Sequence, residues 1–418
     1  MDVIESARRR LIFRPNGETD ARLALDFLEG LALARQKHMT PCLVAVAHAV
    51  NPCLLTLTCD QVPVVRLEGL ARRWYGWRLD WRGWRFRTSA AWARLGGAVR
   101  REVGRELQRQ MALKTLAGPL RERVRRWREM LAATEEEPRV ALPYKRALLR
   151  APLAVRLSPA FDAAARKQAR SLGLKEGTPI VAIHARERGS NEARGTRDRS
   201  AGKRDDSVSD SCIDSYGAAV DHLVAKGFAV VRLGDPQMAP FRRPGVLDLA
   251  TSAARTPELE LYVLLRSRFL VCGESGPLGV SMLTGTPTVV VNATDPIGTF
   301  PVRADSAYIL KRVIDLSSGQ DLGLRGMLTE HYYRNFRNPT RFAYRDNPPE
   351  EILEAVKELD RDLETGWTES PGQRAYRALV SSTAEALRDR VRHVANRGPD
   401  GGFLGDGRLP RFFAERHF

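Results

Sequence analysis

A short polar loop between two apolar runs constrains this chain most. Residues 269–272 and 288–291 are apolar runs typical of strands buried on both faces of a sheet. Pro277 suits the first position of a helix, and Gly285 suits its end. The segment therefore predicts a strand, a tight loop, a helix and a second strand. Because the backbone N–H groups and the dipole at a helix N-terminus favour an anion, we expect a phosphate-bearing ligand at this loop.

The rest of the C-terminal half repeats this alternation of strands and helices. Strands are predicted over 180–183 and 228–233, and helices over 159–172, a segment ending at Gly227, and 257–266. Ser211 and Asp214 form a weak capping box for the helix that ends at Gly227. Alternating strands and helices predict an α/β fold with a doubly wound parallel sheet.

The two ends of the chain are less regular. A helix over 20–37 and strands over 42–50 and 53–58 indicate a small N-terminal α/β region. Helices are also predicted over 348–363 and 371–396, followed by a tail, 398–418, that docks as an extended segment. We therefore expect three regions, 1–177, 178–345 and 346–418. The last helices brace the other two regions.

A histidine and an arginine follow the predicted strand 180–183. His184 and Arg186 point to the same side of an extended chain, and an Arg at a strand end can fork onto a diphosphate. The alternative is a surface ion pair of Arg186 with Glu187 or Glu192. The loop itself can equally be a structural connection that binds no ligand.

Two common nucleotide motifs are absent from the sequence. The glycines at the loop do not have the G-x-G-x-x-G spacing of dinucleotide-binding folds, and no Walker A motif occurs. An NAD-dependent oxidoreductase is therefore disfavoured.

Residues 178–360 resemble bacterial GT-B glycosyltransferases. The run from Glu274-Ser275-Gly276-Pro277 to Thr294-Asp295-Pro296 is similar to the heptosyltransferase (glycosyltransferase family 9) pattern, and His184-Ala185-Arg186 is similar to the His-x-Arg of fucosyltransferase-like enzymes. Further pieces are similar to little-characterised bacterial glycosyltransferases linked to surface polysaccharides, namely 231–235, 248–252, 310–311 and 328–330.

The resemblance implies a GT-B-like protein. Its C-terminal domain would be Rossmann-like and bind a nucleotide-diphosphate sugar, and its smaller, partly helical N-terminal domain would face the acceptor. It implies sugar transfer to an acceptor hydroxyl, with inversion, by positive side chains and a helix dipole in place of a metal or another cofactor. No Asp-x-Asp triad is present, and the adjacent Asp205 and Asp206 are a poor ligand pair.

Specific residues are expected to carry these roles. Arg186 is expected to stabilise the leaving diphosphate. Candidates for the base that deprotonates the acceptor are Glu187, Asp205, Asp206, Asp235 and Glu274, of which Glu187 and Asp206 are preferred. The expected donor-binding residues are His184, Arg232, Gly234, Glu274, Ser275, Gly276, Pro277, Asn292, Lys311 and Glu330.

Two of these donor-binding assignments have structural alternatives. Glu330 can instead belong to a helix start that is capped by Thr329. Asn292 can instead cap the turn after its strand.

The net charge of +17 is concentrated in one segment. Residues 66–128 carry eighteen Lys and Arg against five Asp and Glu, together with six of the seven Trp residues. This segment is an irregular insert packed on the N-terminal region, an anionic membrane surface contact, or a polyanion site. A lipid-linked acceptor suits the membrane alternative, and nucleic acid is the least favoured partner.

The remaining features favour a cytoplasmic protein. If residues 66–128 contact a membrane, we expect the protein at the inner face of that membrane. The N-terminus lacks the pattern of a signal peptide, and the five cysteines are scattered without metal-ligand spacing. Two functions other than catalysis stay open: a non-catalytic nucleotide-sugar-binding protein, and a polyanion-binding protein that uses residues 66–128.

Overall fold

A computed structural model describes the larger part of the chain. The described residues are 10–13, 20–44, 53–54, 57–59, 64–67, 134–136, 155–187, 206–391, 394 and 405–418. Residues 68–128, which are nearly all of the tryptophan- and arginine-rich segment, and Asp205 lie outside them, and so do the predictions made there. Contacts divide the chain into two compact units.

The first unit comprises Met1–Pro15, Ala34–Ala47 and Val62–Arg139, and holds a four-stranded parallel sheet. Its strands are β1 (Arg10–Phe13), β2 (Thr40–Val44), β4 (Val65–Leu67) and β5 (Thr134–Glu136), which lie in the order β4-β2-β1-β5. The buried Leu11 and Cys42 lie on its two central strands.

The second unit comprises Asn16–Leu33, His48–Gln61 and Val140–Phe418, and is built on a six-stranded parallel sheet. The strands of this sheet are β7 (Ile180–His184), β8 (Ala229–Arg232), β9 (Val246–Asp248), β10 (Ser267–Cys272), β11 (Thr288–Ala293) and β12 (Ala307–Leu310). All residues of β7 and β11 are buried, as expected for central strands covered on both faces. The predicted α/β class with a doubly wound parallel sheet is confirmed.

Two small antiparallel pairs complete the described strands. They join β3 (Thr58–Cys59) with β6 (Val155–Arg156), and β13 (Arg312–Asp315) with β14 (Phe342–Arg345).

Helices connect and cover these strands. The described helices are α1 (Asp20–Gln36), α2 (Pro159–Ser171), α3 (Gly217–Ala225), α4 (Pro257–Arg266), α5 (Gly276–Thr284), α6 (Gly323–Met327), α7 (Glu330–Arg334), α8 (Pro349–Thr365), α9 (Pro371–Leu387) and α10 (Arg411–His417). Thr256 caps α4 through its side chain, and Ser370 forms a capping box with Gln373 at the start of α9.

The strand order identifies where ligands reach such a sheet. The order is β12-β11-β10-β7-β8-β9, so the chain builds outward from β7 in one direction and from β10 in the other. In open parallel sheets the crevice beyond the carboxyl ends of the two strands at this reversal is the usual ligand site. Here those two ends are His184 of β7 and Cys272 of β10, which are direct register partners.

Several sequence predictions are confirmed, and four that concern secondary structure need correction. The strand predicted over 53–58 is wrong at its start, because residues 53–54 have a 3₁₀ conformation and β3 begins at Thr58. Helix α4 has the predicted bounds, and α5 ends at Gly285 with a left-handed φ of 72°. The capping box of Ser211 is wrong, because a 3₁₀ turn over Ile213–Tyr216 precedes α3, whose N-cap residue, Tyr216, makes no side-chain cap bond.

The other two corrections concern the C-terminal region. Helix α9 ends at Leu387, earlier than the predicted residue 396. In its described part, residues 405–418, the tail is not extended throughout: Arg408 forms a parallel bridge with Ala307 of β12, and α10 follows from Arg411.

Candidate functional site

The polar loop after β10 has the geometry predicted for it. Ser275 is the N-cap residue of α5, in an extended conformation, and Pro277 occupies the first turn of the helix. The Ser275 hydroxyl donates to the Gly273 carbonyl at 3.2 Å and makes no cap bond with the helix. Ser275, Gly276 and Pro277 are partly exposed. The positive end of the α5 dipole therefore faces a loop that a ligand can reach.

The end of β7 lies beside this loop. Nδ1 of the buried His184 donates to the Leu233 carbonyl at 3.0 Å, which fixes the imidazole at the edge of the sheet. The Arg186 carbonyl accepts from the Ser211 amide at 2.7 Å, and the Ser211 hydroxyl lies 3.8 Å from the position that a Cβ on Gly273 would take. His184, Arg186 and the Ser275 loop therefore share one edge.

Arg186 is placed where a diphosphate could reach it. Its side chain is 19% exposed, and its Nε lies 3.1 Å from Oδ1 of Asp210. Of the predicted alternative, the ion pair with Glu187 is not the arrangement found, because Glu187 pairs with Arg232, and Glu192 lies outside the described residues. Because a guanidinium has five N–H donors, one carboxylate does not saturate Arg186.

Glu187 and Arg232 form part of a buried ion cluster. The Arg232 side chain is 0% exposed, and its terminal nitrogens lie 2.8 Å from Glu187 and 3.2 Å from Asp248. Glu187 also accepts from the Ala239 amide at 3.0 Å, and Asp248 accepts from the Phe241 amide at 2.8 Å. These contacts favour a structural role for Arg232, and a positioning role for Glu187 over proton transfer.

Glu274 accepts hydrogen bonds from four side chains. Its Oε2 accepts from Arg337 at 2.8 Å, from Thr294 at 2.6 Å and from Ser209 at 3.2 Å, while its Oε1 accepts from Thr299. Burial acts to raise the pKa of Glu274, but the Arg337 charge and the two threonine hydroxyls outweigh it and hold that pKa below its ordinary value. Such a stabilised anion is a weak base.

Asn292 and Lys311 lie in the interior of the unit. Asn292 is completely buried with a left-handed φ of 56°, and its backbone amide and side-chain oxygen exchange hydrogen bonds with Asn347. The Lys311 ammonium lies 2.6 Å from Asp346 and donates to the Asp210 carbonyl at 2.8 Å. Lys311 thus supports the segment that pairs with Arg186.

Glu330 begins α7 as its predicted alternative describes. Thr329 caps the helix by accepting from the Tyr332 amide, and Glu330 pairs with Arg334 at 2.6 Å across one turn. These contacts favour the structural interpretation of Glu330.

The other expected residues divide between backbone and side-chain roles. A Cβ at Gly234 would lie 2.5 Å from the Met238 sulfur, so the glycine permits close packing there. Asp235, the next residue, is buried and accepts from the Gln237 amide. Asp206 begins a 3₁₀ turn, Asp206–Ser209, and its side chain is outside the described part of the chain.

Arg337 and the hydroxyls that hold Glu274 are not among the residues predicted from the sequence. Arg337 is 63 residues from Glu274 and lies in a segment without a recognisable motif. Its backbone has a left-handed φ of 58°, which the sequence does not signal, because arginine has no preference for that region.

Two further expectations concern metal ions and the membrane. Among the described residues, no group of three or more His, Cys, Asp or Glu side chains could hold a metal ion. In the same part of the chain, no helix is long and apolar enough to cross a membrane. Metal independence and a peripheral membrane contact stay predictions.

Comparison with known proteins gives similarity at the level of solved structures. No protein-family model matches the sequence, and no curated protein matches it. The chain is similar to heptosyltransferase II from E. coli at 13% identity with a TM-score of 0.41, covering 85% of this chain and 99% of that one. It is also similar to a family 9 glycosyltransferase from Veillonella parvula, at 13% identity with a TM-score of 0.32, covering 68% and 80%.

A third similar structure is the NodZ α-1,6-fucosyltransferase soaked with GDP-fucose. It is 13% identical with a TM-score of 0.29, and the match covers 82% of this chain and 100% of that one. The solved structures that this chain resembles thus include the heptosyl- and fucosyltransferases whose motifs its sequence resembles.

Proposed function

We propose that this chain transfers a sugar from a nucleotide-diphosphate donor to a hydroxyl of a surface polysaccharide or another glycoconjugate, with inversion and without a metal. One observation carries the proposal. Arg186 and the Ser275-Gly276-Pro277 helix start follow β7 and β10, the adjacent strands at which the sheet order reverses. Both features suit a diphosphate, and both lie at the edge where parallel sheets bind ligands.

Cleavage of the donor requires stabilisation of the departing diphosphate. Negative charge grows on it as the bond to the anomeric carbon breaks, so preorganised positive groups lower the barrier. Arg186 supplies a guanidinium, and α5 supplies its N-terminal dipole. His184, fixed by the Leu233 carbonyl, lines the same edge.

The acceptor hydroxyl must lose a proton as it attacks. The Glu274 carboxylate is bound by four side chains, and the Glu187 carboxylate by Arg232 and a backbone amide. We assign the base to Asp206, because its 3₁₀ turn leads directly to Asp210 and Ser211 beside Arg186.

A thermal-shift screen with GDP-, UDP-, ADP-, CMP- and dTDP-sugars tests donor binding. One of them should raise the melting temperature, since ligands that bind the folded state stabilise it. Arg186→Ala should abolish that shift, whereas Arg312→Ala, at an exposed arginine on β13, should preserve it. A shift that survives in Arg186→Ala would contradict the assignment.

A non-catalytic nucleotide-sugar-binding protein is the second candidate. The contacts of Glu187 and Glu274 favour this candidate, because each of these two carboxylates already pairs with an arginine. Donor-hydrolysis and transfer assays distinguish the two functions. Nucleotide binding that Asp206→Asn leaves unchanged, together with no turnover, would favour the binding protein.

A further inference from the structure

The expected diphosphate site has a carboxylate where an anion should bind. Glu274 immediately precedes Ser275, the N-cap residue of α5, and its side chain is 10% exposed. An uncompensated negative charge here would repel a phosphate group and would offset the attraction of the helix dipole for that group. The site therefore needs a positively charged side chain that pairs directly with Glu274.

Arg337 supplies this charge through contacts with Glu274 and Thr294, which also contact each other. Its Nη2 lies 2.8 Å from Oε2 of Glu274 and 3.1 Å from Oγ1 of Thr294, and its Nε lies 3.3 Å from the same hydroxyl. Thr294 in turn donates to Glu274 Oε2 at 2.6 Å. Each of the three side chains is bonded to the other two, and we call this set the loop clamp.

The surroundings hold Arg337 in an unfavourable backbone conformation. Its φ of 58° is uncommon for a residue with a Cβ. The Arg337 amide donates to the Tyr344 hydroxyl at 3.1 Å, and its guanidinium lies 5.0 Å from the centre of the Phe336 ring. Conformations of this kind persist where the surrounding structure determines them, often at functional sites.

Among the residues that the structure describes, the other groups around Glu274 do not replace this cation. Asp295 is buried nearby and carries negative charge that opposes ionisation of Glu274. Tyr344, Ser209, Thr294 and Thr299 contribute hydroxyls without positive charge.

We propose that Arg337 is a positioning residue that neutralises Glu274 and so allows the Ser275 loop to accept a diphosphate. This inference rests on the proposed function, because it assumes that the loop binds the donor through phosphate. It assigns Glu274 to the support of the loop and not to proton transfer.

Binding of inorganic pyrophosphate at pH 6 and pH 8 tests the proposal. Arg337→Met should weaken binding about tenfold or more at pH 8 and less at pH 6, because the unpaired Glu274 takes up a proton at the lower pH. The double variant Arg337→Met with Glu274→Gln should recover most of the loss at pH 8. All values are compared with Arg334→Met at the same pH, because pyrophosphate changes its own charge over this range.

Two further measurements distinguish a failure of the loop clamp from a folding defect and from a failure of the proposed function. Arg337→Lys keeps the charge and should retain more binding than Arg337→Met. Without any ligand, the melting temperature of Arg337→Met should fall more steeply between pH 5 and pH 8 than that of the double variant. Equal pH responses of the single and double variants, with or without ligand, would overturn the loop clamp. A pH difference without pyrophosphate or nucleotide binding by the unmodified protein would instead overturn the proposed function.

Discussion

Two arginines beside the sheet of the second unit occupy contrasting ion clusters. Arg232 is fully buried between Glu187 and Asp248, two carboxylates that flank it from the ends of β7 and β9. Arg337 is 15% exposed and contacts the Glu274 carboxylate and the Thr294 hydroxyl. The first cluster packs the protein interior, whereas the second lies against the loop that we propose binds the donor. An arginine at a strand end is thus not by itself a ligand-binding residue, and its depth and partners decide its role.

Removal of Arg232 should have the largest effect on stability. Arg232→Met leaves two carboxylates, 17% and 16% exposed, without their fully buried cation, and loss of one partner of a buried ion pair costs about 3–5 kcal/mol. Chemical denaturation should show this loss in the free energy of unfolding. Arg266→Met, at a half-exposed arginine, is the control and should change it by less than about 1 kcal/mol. If Arg232→Met lowered the free energy of unfolding by as little as the control does, the contrast between the two clusters would be wrong.

Glu274→Gln should have a smaller effect on stability. The amide keeps the shape of the side chain but leaves Arg337 without its counter-charge, which we expect to cost about 1–3 kcal/mol. The same denaturation experiment measures it. A cost equal to that of Arg232→Met would mean that the loop clamp is as much a part of the core as the Arg232 cluster.

The pH dependence of this effect has a defined sign. The folded-state pKa of Glu274 is lowered from 4.5, so its ionised form contributes stability above about pH 4.5, and this contribution is lost as pH falls through the folded-state value. The difference in melting temperature between the unmodified protein and Glu274→Gln should therefore be full near pH 6 and shrink below pH 4.5. A difference that grows on acidification would contradict the contacts of Glu274.

Glu330→Gln should have the smallest effect. Glu330 pairs with the exposed Arg334, and exposed pairs contribute little. Neither the melting temperature nor the thermal shift produced by a donor should change measurably. A lost donor shift with unchanged stability would restore the sequence-based assignment of Glu330 to donor binding.

The sequence predicted the fold better than the partners of individual charges. Periodic apolar runs and helix-end residues such as Pro277 and Gly285 act locally, so the segment from β10 to β11 could be predicted closely. The role of Arg232 depends on Asp248, sixteen residues away, and on complete burial, which no local pattern encodes. Arg337 reaches Glu274 only because α7 and the turn after it return to the end of β11, where Tyr332 donates to the Thr294 carbonyl.

The most direct test of the central claim is hydrogen exchange with and without the nucleotide sugar that gives the largest thermal shift. We predict that its binding slows amide exchange in peptides that cover residues 273–285 and 184–187, the two segments at the strand-order reversal. Protection of these peptides should be lost in Arg186→Ala at the same ligand concentration. Tight binding of a nucleotide sugar with no protection in either peptide would contradict the account.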